Sequence, residues 1–217
     1  MEQVRRALRA LVYAARWSRS QITLSYYRTL YSGLSVGKGV RTGRGVHLNV
    51  VRGATLHLGD GTYIDSYAYL VSEGQLSIGE RTYVGVGAMI VAKDRVEIGK
   101  DALIAAYVTI RDQDHGSDIA AGPFNQQGLV ASPISIGDNV WLGTKATILR
   151  GVSIGSNSIV GANSVVTRPV GEGVVAVGAP ARAIKPAAQE RTLGRVAMMP
   201  IRLLLTKGSV RLVPGRP

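Results

Sequence analysis

Ile136-Gly137, Leu142-Gly143, Ile148-Leu149, Ile154-Gly155, Val160-Gly161 and Val166-Thr167 put an aliphatic residue at every sixth position, with Gly after most of them. An α-helix would scatter residues spaced by six around its circumference, and a plain strand would alternate apolar and polar positions in twos. A short strand followed by a sharp turn satisfies the spacing. Each unit sends one large side chain inward and leaves its turn to Gly, Asn or Asp. Hexads of this kind predict an all-β solenoid, a parallel β-helix of hexapeptide repeats.

Working outward, the pattern extends from Val36 to Gly171. Three hexads make an 18-residue triangular coil, the distance from Ile136 to Ile154. Leu58 to Ile78 and Ile78 to Ile98 are each 20 residues, so two residues are extra; the excess falls at Gly74-Gln75 and Lys93-Asp94, read as wide turns. The hexads stop after His115 and resume near Ile134, which makes residues 116–133 a loop thrown out of the solenoid. Loops that long inside a compact domain are usually functional.

The composition agrees. Twenty-seven Gly with one Phe and two Trp suit a core of stacked Ile, Val and Leu. Cysteine is absent, so disulfides and thiolate metal sites are excluded, and no apolar run reaches the eighteen residues of a membrane-spanning helix.

The net charge of +12 suggests nucleic acid until it is apportioned. Residues 36–181 hold twelve basic and twelve acidic side chains, whereas residues 1–35 hold six and one and residues 182–217 hold eight and one. The excess sits in the ends, and no nucleic-acid partner is expected.

Both ends read as amphipathic helices. Val4, Ala7, Leu8, Leu11 and Ala15 share one face while Arg5, Arg9 and Arg16 cluster on another. Near the C-terminus Leu193, Val196, Ala197, Ile201 and Leu204 oppose Arg191, Arg195 and Arg202, with Pro200 interrupting. Such helices suit an anionic membrane surface, or they cap the open ends of the solenoid; the sequence leaves both open. Arg9 and Arg16 break the apolar run that a secretory signal needs. The domain reading is a basic helical extension over 1–35, a β-helix over 36–185 and a basic helical tail over 186–217.

The block from Ser132 to Lys185 carries a resemblance. Asn139-Val140-Trp141-Leu142-Gly143, then Gly161-Ala162-Asn163-Ser164-Val165-Val166-Thr167, then Gly178-Ala179-Pro180-Ala181-Arg182 resemble, in that order, the hexapeptide-repeat acyltransferases, above all the maltose, galactoside and exopolysaccharide O-acetyltransferases. The resemblance covers roughly residues 58–185; the two tails match nothing in the family. It implies a left-handed winding, against the usual right-handed crossover, and a homotrimer with active sites between subunits.

It also implies roles. An acceptor hydroxyl attacking a thioester needs a base that is largely neutral near pH 7, a task suited to His. His115, in Arg111-Asp112-Gln113-Asp114-His115-Gly116, stands where the family carries its base. Asp112 or Asp114 would accept a hydrogen bond from the other ring nitrogen. Acetyl-CoA, a co-substrate and not a resident cofactor, would lie along Gly143, Thr144, Gly161, Ala162 and Thr167, with Arg182 and Lys185 near its phosphates and Trp141 beside the cleft. No Cys and no nucleophile elbow exist for a covalent intermediate, so direct attack is expected.

The function expected is therefore acetyl transfer from acetyl-CoA to a sugar hydroxyl of a glycan, glycolipid or glycoside, in the cytoplasm and at the inner face of a membrane. N-acetylation of an amino sugar or xenobiotic is the alternative. A non-catalytic scaffold and a carbonic-anhydrase-like zinc trimer are the other classes. The second needs clustered histidines, but His47 and His115 lie about 14 to 19 Å apart at about 4.8 Å per coil, so no metal site is expected.

Overall fold

A computed structural model describes residues 1–187, and the C-terminal helix expected around Leu193 to Leu204 lies outside the described residues. The chain winds as a three-sided prism of parallel strands, a left-handed β-helix of hexapeptide repeats. On the first face Leu58, Ile78, Ile98, Ile136 and Ile154 stand in register, the column that the residue spacing predicted. The second face stacks Ile64, Val84, Ile104, Leu142, Val160 and Ala176. The third stacks Leu48, Leu70, Ile90, Ile110, Ile148 and Val166. All of these side chains are buried, and the core they form is wholly aliphatic. Burying one of them fully is worth roughly 1.5–3 kcal/mol.

The corners hold a departure from expectation. Gly, Asn and Asp do occupy many of them, but Tyr67, Arg81, Tyr107 and Lys145 also adopt φ near +60°, as do Asp101, Asn139, Asn157 and Asn163. A left-handed residue other than Gly costs on the order of 1 kcal/mol. The offset is visible in the stacking: the backbone N–H of each of the eight donates to a carbonyl of the preceding coil, as Tyr67 does to Arg44, Tyr107 to Val86 and Lys145 to Ala106. The preceding coil fixes the corner whatever side chain it carries.

The wide turns lie where the third face meets the first, between Tyr69–Ser72 and Gln75–Ile78 and between Met89–Ala92 and Arg95–Ile98. At the same corner of the next coil the chain leaves the prism. It returns at Ser132, whose N–H donates to the Asp112 carbonyl at 2.8 Å. Residues between form an ordered excursion: Gln113–His115 pairs antiparallel with Leu129–Ala131, and two short 3-10 turns fill the tip. The Gln127 carboxamide ties that tip together, accepting from Asp118 N–H and donating to the carbonyls of Asp118 and Gly122.

The N-terminal extension is one helix, α1 (Glu2–Leu30). Its last third covers the open first coil. Ser20 and Leu24 are buried; Ser20 Oγ accepts from Thr42 N–H at 2.7 Å, Tyr27 Oη donates to the Val46 carbonyl and Arg28 to the Val36 carbonyl. Capping is therefore real at this end. The apolar stripe expected from the sequence, Val4, Leu8 and Leu11, lies on the opposite side of the helix and stays exposed. At the other end Arg182–Pro186 folds back antiparallel on Val174–Val177. No helix among the described residues is long and apolar enough to cross a membrane.

Candidate active site

His115 ends the outgoing strand of the hairpin, opposite Leu129, and is exposed. Thr109, Arg111, Gln113, Asp114 and His115 from one side and Thr147, Ile148 and Leu149 from the next coil enclose a cavity of about 170 Å³ with Leu129. The imidazole thus stands at the mouth of a small cleft between the hairpin root and the third face.

The two carboxylates expected beside it have other partners. Asp112 is fully buried and turned back toward the wide corner of the preceding coil. Its Oδ1 accepts from Lys93 N–H at 2.7 Å, and its Oδ2 accepts from Asp94 and Arg95 N–H at 2.8 Å each. The chain has left the prism here, so no backbone of a following coil meets those donors. A charged acceptor takes its place. Asp112 therefore anchors the hairpin root, which corrects the expectation that it orients the base. Asp114 is surface-exposed and accepts from Arg150 Nε at 2.9 Å. The pair holds the outgoing strand to the corner after Thr147–Ile148.

Gln113 and Arg150 were not singled out by sequence reasoning. Gln113 is buried, lines the cavity, and its Oε1 has no hydrogen-bond partner among the described residues. Its place two residues before His115, on the same side of a strand, is the signal that could have found it.

The residues expected along the coenzyme fall at five places. Trp141 is half exposed on the second face, in register with Leu103 and Ile159. Gly143, Thr144, Gly161 and Ala162 form the stacked corner between the second and third faces, where the coils approach so closely that a Cβ on Gly143 would lie 2.5 Å from Ala162 N. Thr167 follows Val165–Val166, one coil beyond Leu149, and is not among the residues that line the His115 cleft. Arg182 lines a cavity of about 190 Å³ with Arg168, a second cation that sequence reasoning missed. Lys185 lies farther along the terminal strand, opposite Val175. His47 and His57 take no part in the cleft: His47 stacks on Tyr69 on the third face, and His57 faces Ser35 on the first.

A family model described as hexapeptide repeat of succinyl-transferase matches residues 75–111 and 133–168, the coils on either side of the hairpin. A putative lipopolysaccharide biosynthesis O-acetyl transferase, WbbJ of Escherichia coli K12, is 30% identical over 159 residues, covering 70% of this chain and 71% of its own. The chain belongs to the hexapeptide-repeat acyltransferases. A probable acetyltransferase of Mycobacterium tuberculosis is 34% identical over 151 residues, 69% of this chain and 49% of that protein, so the chain spans about half the length of that relative. The same fold is seen in AntD, an N-acyltransferase from Bacillus cereus solved with dTDP and 3-hydroxybutyryl-CoA, at TM-score 0.66 and 22% identity over 77% of this chain and 88% of that one.

Proposed function

We propose that this acyltransferase moves an acetyl group from acetyl-CoA to a sugar hydroxyl of a glycan, glycolipid or glycoside, with His115 as the general base. The observation that carries the reading is the imidazole at the mouth of the cleft made with Thr109, Thr147 and Leu149. The acceptor oxygen attacks the thioester carbonyl as its proton passes to the ring nitrogen facing it. The tetrahedral intermediate collapses with loss of the CoA thiolate, which takes the proton back from the imidazolium. Arg150 takes up Asp114, next to His115 in the chain, in an ion pair. Arg168 and Arg182 suit the coenzyme's phosphates, as forked cations do.

The cleft is small for a coenzyme and a sugar together, and the hairpin tip holds Ile119 and Phe124 out in solvent. Both features fit a homotrimer in which each hairpin reaches a neighbouring copy and the two subunits share one reaction site. The test of the activity is thiol release from acetyl-CoA in the presence of sugars, amino sugars and glycolipid extracts, with the product identified by mass. Acetylated sugar at a hydroxyl supports the reading; transfer only to amines, or release only by hydrolysis, overturns it.

The exposed stripe of α1 favours peripheral attachment at the cytoplasmic face of a membrane. Val4, Leu8 and Leu11 are free for insertion, and Arg5, Arg6 and Arg9 flank them for acidic lipid. Liposomes with acidic lipid are expected to float the intact protein, and replacing the three apolar residues by Ser is expected to leave most of it unbound. Equal flotation of the two proteins would remove this assignment.

A further inference from the structure

The chain has nine Tyr, two Trp and one Phe, and none of these rings enters the aliphatic core. Four of them meet at one place. Tyr13 and Trp17 on the underside of α1 and Tyr63 and Tyr83 on the second face bound a cavity of about 580 Å³, a volume ordinary for a small-molecule site. Arg16, Arg19 and Arg41 share its lining. Among the described residues none of the three guanidiniums forms an ion pair, although Arg41 lies 5.3 Å from the centre of the Tyr63 ring.

One carboxylate lines the cavity, and both of its oxygens accept hydrogen bonds. Asp65 accepts from Tyr83 Oη at 2.8 Å, from Tyr63 Oη at 3.3 Å and from Ser66 N–H at 2.6 Å. Burial acts to raise its pKa, but these hydrogen bonds outweigh it and hold the group below the usual carboxylate range. Burial, with Asp65 second, pushes the Tyr83 phenol up to about 12. Both phenols therefore stay protonated and point at Asp65; Arg41 lies over the Tyr63 ring, and Tyr13, Trp17 and the three cations line the remaining space.

We propose that this cavity binds an anionic lipid, its phosphate on Arg16, Arg19 and Arg41 and the start of its apolar chain against Trp17, Tyr13 and Tyr83. Guanidinium forks match phosphate oxygens, and aromatic faces accept methylene groups. The position argues for lipid in particular. The roof of the cavity is the helix whose far side exposes Val4, Leu8, Leu11, Ile22 and Tyr26, and basic pockets beside amphipathic helices suit acidic head groups. The inference deepens the membrane attachment above. Its test uses lipid dissolved as monomers, so a failure of vesicle binding and a failure of the cavity are separate results.

Replacing Trp141 by Phe leaves Trp17 as the one indole fluorophore. Titration of W141F with dihexanoyl phosphatidate is expected to shift Trp17 emission to the blue and to saturate. Dihexanoyl phosphatidylcholine and inorganic phosphate are expected to bind at least about tenfold more weakly. Adding R16A and R41A should weaken phosphatidate by at least about tenfold, whereas R16K with R41K, which keeps both charges, should lose less; circular dichroism establishes that each variant is folded. No saturable response, an equal response to phosphate alone, or indifference to the Ala substitutions would overturn the lipid assignment. So would an emission shift that follows protein concentration, because a second copy of the chain would then occupy the cavity.

Discussion

His115→Ala is expected to lower acetyl transfer by about 10²- to 10⁴-fold, the range for loss of a positioned general base, while the affinity for CoA stays unchanged. The separation follows from geometry. The imidazole projects from the hairpin root, whereas the stacked corners at Gly143 and Gly161 and the cations Arg168 and Arg182 belong to the prism and its terminal strand. A neutral methyl in place of the ring leaves the acceptor hydroxyl with its proton in the transition state. Turnover of H115A close to wild type would remove His115 from the mechanism.

The second large effect is on folding. In Asp112→Asn the side chain is expected to keep its volume but lose about 2–4 kcal/mol of stability, because one end of the carboxamide presents N–H to backbone N–H groups that it should accept from. For a chain of this size that corresponds to a fall in Tm of about 5 to 15 °C. Lys93, Asp94 and Arg95 have no following coil to receive them at this corner, so the cost cannot be passed to a neighbouring carbonyl. The hairpin root should loosen first, and with it the placement of His115, so activity falls below the temperature at which the prism melts. A thermal transition identical to wild type would show that the corner is satisfied by other means.

The repeat was legible because its period is geometric. Val36, Leu58, Ile78, Ile98, Ile136 and Ile154 can be aligned by counting, and the counting also located the wide turn at Lys93-Asp94, the other one residue late at Gly74-Gln75 where the chain turns at Glu73-Gly74, and the excursion after His115. The task of Asp112 was not legible. Its partners lie 17 to 19 residues earlier, one coil back, and only the stacked backbone shows that they lack an acceptor. Tyr67, Arg81, Tyr107 and Lys145 hide in the same way: their left-handed backbone is fixed by the coil beneath them, not by residue type.

The helix divides similarly. Periodicity found the apolar stripe of Val4, Leu8 and Leu11, but docking uses Ser20, Leu24 and Tyr27 on the opposite side, where a hydroxyl and a phenol supply hydrogen bonds that hydropathy does not register. Which of two faces is covered depends on what lies across from it. The aromatic cavity under Trp17 is beyond sequence reading for the same reason, since Tyr13 and Tyr83 are 70 residues apart.

A crystal structure of the intact protein with CoA decides where the thioester meets the acceptor. The prediction is three copies, with each pantetheine arm running into the cleft beside one hairpin and its sulfur near enough to His115 for an acceptor oxygen to fit between them. A coenzyme bound elsewhere on the prism, or a His115 ring turned away from the thiol with no space for an alcohol, would contradict it.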